Sequence, residues 1–500
     1  MRTIDMERAL IPAGLFAAAM AVRLVGLGAS GYDLSEIIGL EAWRADPGAF
    51  WTHLSSIAGA PLYYVFIGLW SLVSNAEWWV RLPSAIFSSL AVVFAFLLVE
   101  QKVTRPTAVV AALFLALHPM SIRAGSHVSS IPLAALFVTI SAYYAALWLG
   151  THGEHKKVKT AVFAALALYT HHYAWFYAVF LVFAALSTAI RPAFRKRFAA
   201  APVAVMGALA LPLVPLIAAQ WANAPESAHQ GILWSIKAFA AHFPFGNDPL
   251  QTTRLGGLLK LFPGGAWREG ALFILALPVM ALGIWGGVRH AFLGFLFALP
   301  LAGGVFLGRT GHPFEPIVMV VFAAAGFACV AAGIGELSKF KRPGQIAAGL
   351  AAVAIAGTML LSFCELRYQG RSADGDVKST MAALAKAAPR EWILSYSAEQ
   401  ARDLKYYESG PWQFKPLAPD DRTAAERGGA GLAEQAKKSP HSRTAWCWSI
   451  ADARDSIRAA TWKKSWKTRT ARRERTRSAA PGFSCIRREP RRQTIRDSRG

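Results

Sequence analysis

The sequence predicts an all-α polytopic membrane protein. Three observations carry that prediction. Of the 500 residues, 54% are hydrophobic and only 17% charged, where a soluble domain carries nearer a quarter. The mean hydropathy is positive, at +0.33. The apolar residues are also gathered into runs, most of them about 18–22 residues long, which is what a helix needs to cross roughly 30 Å of hydrocarbon.

In chain order the expected spans are 8–28, 82–100, 106–122, 130–149, 159–170, 173–190, 199–221, 271–288, 290–308, 316–334 and 344–364, about eleven transmembrane helices. The apolar piece "PLYYVFIGLWSLVS" at 61–74 is short for a span. With the aromatic "EWWVR" behind it, it reads as an interfacial helix. Basic loops set the orientation. With the N-terminus inside and 61–74 not crossing, "EQKVTRP", "THGEHKKVK", "RPAFRKRF", Arg289 and "ELSKFKRPG" fall inside. The loops 29–81, "SIRAGSH", "THHY", 222–270 and "GRTGHPFEP" then fall outside, as does everything after Leu366. The long loop 222–270, with its Gly, Pro and aromatic residues, is expected to lie on the membrane surface and to cover a site. Arg23 is placed near enough to the end of its run to snorkel, which leaves the spans almost without deep ionisable residues.

Residues 1–366 therefore form a transmembrane domain. Residues 367–425 read as a small extracytoplasmic α/β segment: "DVKSTMAALAKAAP" fits an amphipathic helix, "REWILSYS" a strand and "AEQARDLKYYES" a second helix. Residues 426–500 are a basic tail expected to be disordered. From Lys437 onward it holds 19 Lys/Arg against 5 Asp/Glu, a net +14 of the chain's +23. The charge thus sits in the tail and the inner loops and does not point to a nucleic-acid partner. The abrupt change in composition near residue 440 also reads as a shifted reading frame. The four cysteines show no metal-type spacing.

Polar residues worth attention cluster at the outer ends of the spans. Asp33 and Glu36 follow the first run in "LGASGYDLSEIIGLEAW" and would share a helix face. They are either acidic flanks of a span or a general base for an acceptor hydroxyl. Arg123 and His127, in "HPMSIRAGSH", stand i, i+4 if helical. Arg123 is either an interfacial snorkeller or a bidentate phosphate partner. His171 and His172, in "LYTHHYAWFY", sit within an aromatic belt and could hydrogen-bond a phosphate or sugar. Arg309, in "GRTGHPFEP", is a loop cation or a second phosphate contact. No third ligand with a recognisable spacing makes a metal site of the histidines. The chain has no Walker A loop; "GLGASG" at 26–31 has the Rossmann glycine spacing but follows an apolar helical run and not a strand, and "DGD" at 374–376 is a bare triplet, so neither marks a nucleotide-sugar site. A transferase built this way needs a donor already carried by a lipid.

One span, an acidic outer loop, "APLYYVFIGLWSLVSNAEWWVRLPSAIFSSLAVVFAFLL", an Ala-rich span ending "LHPMSIRAGSH", and "LYTHHYAWFYAVF" follow one another. That order resembles the GT-C superfamily of polytopic glycosyltransferases. The branch is that of protein O-mannosyltransferases, aminoarabinose transferases and core-oligosaccharide transferases using polyprenyl-phosphate sugars. The likeness covers roughly residues 8–190 and, more loosely, 290–410. It implies sugar transfer from a polyprenyl-phosphate donor to a protein, lipid or envelope-glycan acceptor, at the outer face of the plasma (inner) membrane and among membrane lipids. In the family an acidic pair in the first outer loop supplies the base. Here Glu36 holds the second position and Ser35 the first, with Asp33 two residues earlier. The resemblance places Tyr63, Tyr64, Arg123, His127, His171, His172 and Arg309 around the substrates. It fixes no cofactor and leaves a divalent cation open. Gly59, Ala60 and Pro61 stand where the family often has His-Pro-Pro, and His127 and Ser129 where it usually has an acidic residue and an Arg. These departures keep two alternatives in view: a flippase for lipid-linked sugars, and a family member that binds polyprenyl phosphate without transfer.

Overall fold

The structure is a computed structural model. It describes residues 2–32, 36–37, 39–40, 43, 50–51, 54, 60–151, 154–190, 200–222, 235–236, 239, 243–244, 265–309 and 316–369, and four short strands between 392 and 487. The chain divides into two units: Met1–Gly28 with Gly39–Arg367, and Ala29–Ile38 with Tyr368–Gly500.

The first unit is a helix bundle, and each of the eleven predicted runs overlies helix. The helices are α1 (Arg2–Leu24), α2 (Pro61–Ser71), α3 (Glu77–Glu100), α4 (Arg105–Leu117), α5 (Pro119–Gly125), α6 (Ile131–Thr151) and α7 (Glu154–Leu168). They continue with α8 (Ala174–Ile190), α9 (Ala200–Ala210), α10 (Val214–Ala222), α11 (Gly265–Arg289), α12 (Ala291–Arg309), α13 (Ala323–Leu337) and α14 (Lys341–Gln369). Among the described residues six helices are long and apolar enough to cross a membrane, or seven if the bent pair α4–α5 is one span. Ala9–Leu24, Ala174–Leu186 and Ala276–Arg289 are shorter apolar helices. The α2 helix, at 11 residues, is about 17 Å long and falls short of a span, as its length predicts.

The run 106–122 is not the straight span expected. It bends by 59° between α4 and α5. Thr104 starts α4 by accepting the Thr107 N–H on its hydroxyl. Pro119 ends it, because the ring offers no N–H and crowds the preceding turn. His118, the residue before proline, is pushed to φ −62°, ψ 118°, outside the helical region. The run 316–334 likewise starts as a 3-10 turn, Pro316–Phe322, before α13 begins.

Helix α13 is the centre of the bundle: 94% of the most apolar 18 residues within Ile317–Leu337 are buried, against 22% of those within Lys341–Cys364 in α14. Its sequence "AAAGFACVAAGIGEL" explains this, since small residues let helix backbones meet where lipid removes any hydrophobic drive between helices. A Cβ built on Gly333 would sit 2.1 Å from the Leu282 carbonyl oxygen of α11, and one on Gly286 would sit 2.0 Å from that of Cys329.

The polar connections separate to two ends. At one, Lys102 Nζ lies 4.8 Å from the centre of the Phe292 ring, Gly335 of α13 packs on Thr107 of α4, and Lys339 pairs with Glu336 at 2.6 Å. This is the Lys/Arg-rich end. At the other, the Leu62 N–H donates to the Tyr169 carbonyl (2.9 Å), docking the start of α2 on the α7–α8 turn. The α2–α3 elbow is closed by Trp70 and Trp79, stacked 4.4 Å apart, each indole N–H donating to the other residue's carbonyl.

The second unit holds a four-stranded sheet in the order β2-β1-β3-β4. Its strands are β1 (Trp392–Ser395), β2 (Phe414–Pro416), β3 (Thr444–Trp448) and β4 (Ser484–Arg487). Strand β1 is parallel to β2 and β3, and β3 is antiparallel to β4. The predicted strand in "REWILSYS" is β1. The two helices predicted around it lie outside the described residues. Strands β3 and β4 fall in the tail expected to be irregular. The aromatic and β-branched character of "TAWCW" suits a strand despite the charge around it.

Candidate functional site

Of the proposed base residues, Glu36 lies in helical backbone, is fully buried, and belongs to the second unit. Asp33 lies outside the described residues.

Three of the predicted segments meet at the Tyr63 end of the bundle. Tyr63, on α2, is 1% exposed, and its hydroxyl lies 3.1 Å from Ser84 Oγ of α3. Ser84 in turn faces the backbone of Ser129, in the loop carrying His127, at 3.5 Å. Tyr64 is half-buried and stands edge-on to Tyr63. The α2–Tyr169 hydrogen bond brings the histidine turn to the same place.

Local structure decides what each group can do. Arg123 is half-buried on α5. His127 is not helical, as i, i+4 placement on one helix would need. It lies beyond the end of α5, and its Nδ1 donates to the Arg123 carbonyl (2.8 Å). That carbonyl also accepts the Ser126 N–H (3.0 Å), so the ring adds a second donor at the end of α5. His171 and His172 stack at 4.6 Å with 21° between ring planes. His171 is buried, and its Nδ1 accepts the Tyr173 N–H (3.2 Å), so the ring shapes the turn in its neutral form. Burial first, and the facing His172 second, hold its pKa well below the ordinary imidazole value. His172 is half-buried. Arg309 is exposed at the last residue of α12, about 28 Å along the helix from the Lys/Arg-rich end.

The His171 shift has a testable sign. An unfolded imidazole takes up a proton below about pH 6.5, and the folded one does not. Its contribution to stability is therefore complete above that value and is lost as pH falls toward the lower folded pKa. Thermal unfolding followed from pH 7.5 to 5 should show the melting temperature falling, and His171→Gln should flatten the slope. An unchanged slope in the variant would assign the pH dependence elsewhere.

Sequence reasoning missed the most developed polar cluster. Arg23 does not snorkel: it is fully buried. Its Nε donates to Ser88 Oγ on α3 (2.7 Å), and its Nη1 donates to the carbonyls of Ala19 (3.0 Å) and Ala116 (3.3 Å). The Ser88 hydroxyl in turn donates to the Ser121 carbonyl on α5 (3.2 Å). His118, in the break, contacts Ser121 Oγ through Nδ1 (2.8 Å) and the Phe243 carbonyl through Nε2. A carbonyl only accepts, so Nε2 carries the proton and Nδ1 accepts from the serine. The signals were an arginine inside an apolar run and a His-Pro pair inside another.

Phe243 also revises the view of loop 222–270 as a surface layer. Phe239 and Phe243 are each 5% exposed and belong to the bundle core. Phe243 stacks on Phe327 of α13 (5.5 Å, 16°). Most of the remaining loop lies outside the described residues. Replacing His118 by Ala strands the Phe243 carbonyl and loosens Ser121. A loss of about 2–4 kcal/mol is expected in thermal or denaturant unfolding. A stability unchanged within error would show that the break needs no hook.

A cavity of about 10 Å³ opens beside Ser88, Ser121 and Thr139. That is room for one water, so the cluster is not itself a sugar pocket. Among the described residues no three His, Cys, Asp or Glu side chains gather as metal ligands.

Residues 59–217, from just before α2 to α10, match the family described as dolichyl-phosphate-mannose-protein mannosyltransferase. No curated protein matches the chain by sequence. Among solved structures, ArnT from Cupriavidus metallidurans in the apo state aligns with a TM-score of 0.52 at 14% identity, over 84% of this chain and 88% of that one. ArnT from the same organism bound to undecaprenyl phosphate aligns with 0.50 at 15% identity, over 85% and 88%. The Archaeoglobus fulgidus oligosaccharyltransferase in complex with Zn and sulfate aligns with 0.50 at 12% identity, over 86% and 67%. Helix bundle, family match over residues 59–217 and shared fold agree: the chain is a multi-pass membrane protein with the polytopic helical fold of ArnT and the Archaeoglobus fulgidus oligosaccharyltransferase.

Proposed function

We infer that the protein transfers a sugar from a polyprenyl-phosphate donor to an acceptor hydroxyl on a protein, lipid or envelope glycan. The observation that carries this reading is the meeting of Tyr63, the His127 loop and the histidine turn at the end of the bundle opposite the Lys/Arg-rich end. All three lie within the stretch matching the mannosyltransferase family. Basic loops stay in the cytosol, so the Tyr63 end faces outward from the plasma (inner) membrane. The undecaprenyl phosphate bound to ArnT supports a lipid-phosphate donor.

In this reading Glu36, assisted or replaced by Asp33, takes the proton from the acceptor hydroxyl. The oxygen attacks the anomeric carbon from the side opposite the phosphate. The bond from that carbon to the phosphate oxygen breaks, and the sugar is transferred with inversion. The polyprenyl phosphate leaves with the bonding pair and stays in the bilayer. Arg123, Arg309 and His172 meet its developing charge, the kind of fixed cation that stabilises a leaving phosphate. His171 holds the turn, while Tyr63 and Tyr64 line the approach.

The test is transfer of label from a radiolabelled polyprenyl-phosphate sugar by the purified protein in lipid nanodiscs. It is paired with mass spectrometry of envelope glycans and glycoproteins from a strain lacking the protein. Transfer, and loss of one glycan in the strain, are expected; donor binding without transfer in any acceptor extract would leave a binding protein. The buried Arg23 favours a second reading, a flippase, since intramembrane charges mark transport paths. Its three hydrogen bonds to helix partners weigh toward structure instead. Flipping of a fluorescent lipid-linked sugar in proteoliposomes, with no bond cleaved, would select the flippase.

A further inference from the structure

The break between α4 and α5 is made by Pro119, and it leaves the last carbonyls of α4 without their usual helical donors in the middle of a bundle. Those groups need partners from elsewhere. Arg23 reaches across from α1 and donates to one of them, the Ala116 carbonyl, while its Nε holds Ser88. Ser88 then holds the Ser121 carbonyl on the far side of the break. A single guanidinium thus ties α1, α3, α4 and, through one serine, α5. The fit is close as well as polar. A Cβ on Gly125, the last residue of α5, would lie 2.9 Å from Ser88 Cβ and 3.2 Å from Arg23 Nε. Only glycine lets the end of α5 come this near.

We propose that Arg23 is a positioning residue that fixes the angle of α5 and, through it, the place of Arg123 and the His127 loop. The inference deepens the transferase reading and rests on it for its catalytic consequence. Its structural content stands apart from that reading. The planar fork is the necessary feature: Nε and Nη1 point to two different helices at once, which a single ammonium cannot reproduce. Arg23 itself touches no substrate in this account.

The experiment uses the full chain in nanodiscs, with Cys329, Cys364, Cys447 and Cys485 replaced and Ile122→Cys introduced as a probe. Ile122 is fully buried on α5, so a thiol there reports whether the helix keeps its seat. With Arg23 intact, the probe should resist a maleimide. In Arg23→Met, which keeps the length and loses the hydrogen bonds, labelling should rise about tenfold or more as α5 opens locally. Arg23→Lys should recover only part of the protection. Ser88→Ala, which removes one link of the tie, should raise labelling about threefold and serves if the arginine variants do not fold. Where the intact protein transfers sugar, Arg23→Met should lower kcat more than it raises the KM for acceptor, since donor and acceptor contacts remain. A probe equally protected in Arg23→Met and Ser88→Ala would overturn the proposal. Absence of transfer by the intact protein would sink the transferase reading alone, because the labelling needs no activity.

Discussion

Glu36→Gln combined with Asp33→Asn should lower the rate of sugar transfer by roughly a hundredfold to ten-thousandfold, the range a positioned general base contributes. That corresponds to about 3–5 kcal/mol of transition-state stabilisation, at about 1.4 kcal/mol per tenfold. The amide substitutions are chosen because they keep shape. Glu36 is fully buried in helical backbone, and truncation would confound lost chemistry with a lost fit. The single variants apportion the role. If Glu36 is the base, its variant alone carries the loss and Asp33→Asn is mild; the reverse assigns the proton to Asp33. Donor binding, measured with an unreactive polyprenyl phosphate, should hold in all three proteins, because the cations proposed for the phosphate are untouched. Undiminished transfer in the double variant would remove the proposed base, and with it the mechanism.

The largest stability effect is expected at the crossing of α11 and α13. Gly333→Leu places its Cβ 2.1 Å from the Leu282 carbonyl oxygen and 2.8 Å from the carbonyl carbon, both backbone atoms. A flexible side chain could turn aside; a helix backbone has to shift as a whole. Overpacking typically costs about 1–3 kcal/mol, and against backbone at the most buried helix the upper figure or more is expected. The control is Gly349→Leu on α14, an exposed glycine with nothing within 4 Å of its built Cβ. There leucine faces lipid and improves helix propensity by up to about 1 kcal/mol. Thermal unfolding in mild detergent should therefore show Gly333→Leu far below the parent and Gly349→Leu at or above it. Similar melting temperatures for the two would mean that α13 is not the close-packed centre.

The catalytic and packing expectations differ in how much could be read ahead of the structure. The spans, the short α2, the Lys/Arg-rich loops and strand β1 were legible because each depends on local composition: an apolar run must become helix where no water can bond its backbone. The candidate site could be proposed from residue types and loops. Its geometry could not. His127 stands i, i+4 to Arg123 in sequence, yet α5 stops two residues before it, and His171 uses its Nδ1 on the Tyr173 N–H. Both points concern which atom bonds which, and spacing along a chain does not contain that.

From the chain alone came the membrane class, the length and order of the helices, the split between basic and polar loops and the resemblance to a transferase superfamily. These follow from hydrophobicity and charge summed over neighbouring residues. The bend at Pro119, the burial of Arg23, the seating of Phe243 in the core and the glycine-lined contact of α11 with α13 emerged only on folding. The bend starts locally at Pro119, but each of the others depends on partners 43 to 125 residues away, such as Arg23 with Ser88 and His118 with Phe243, and packing and hydrogen-bond satisfaction select such pairs only when the whole bundle is assembled.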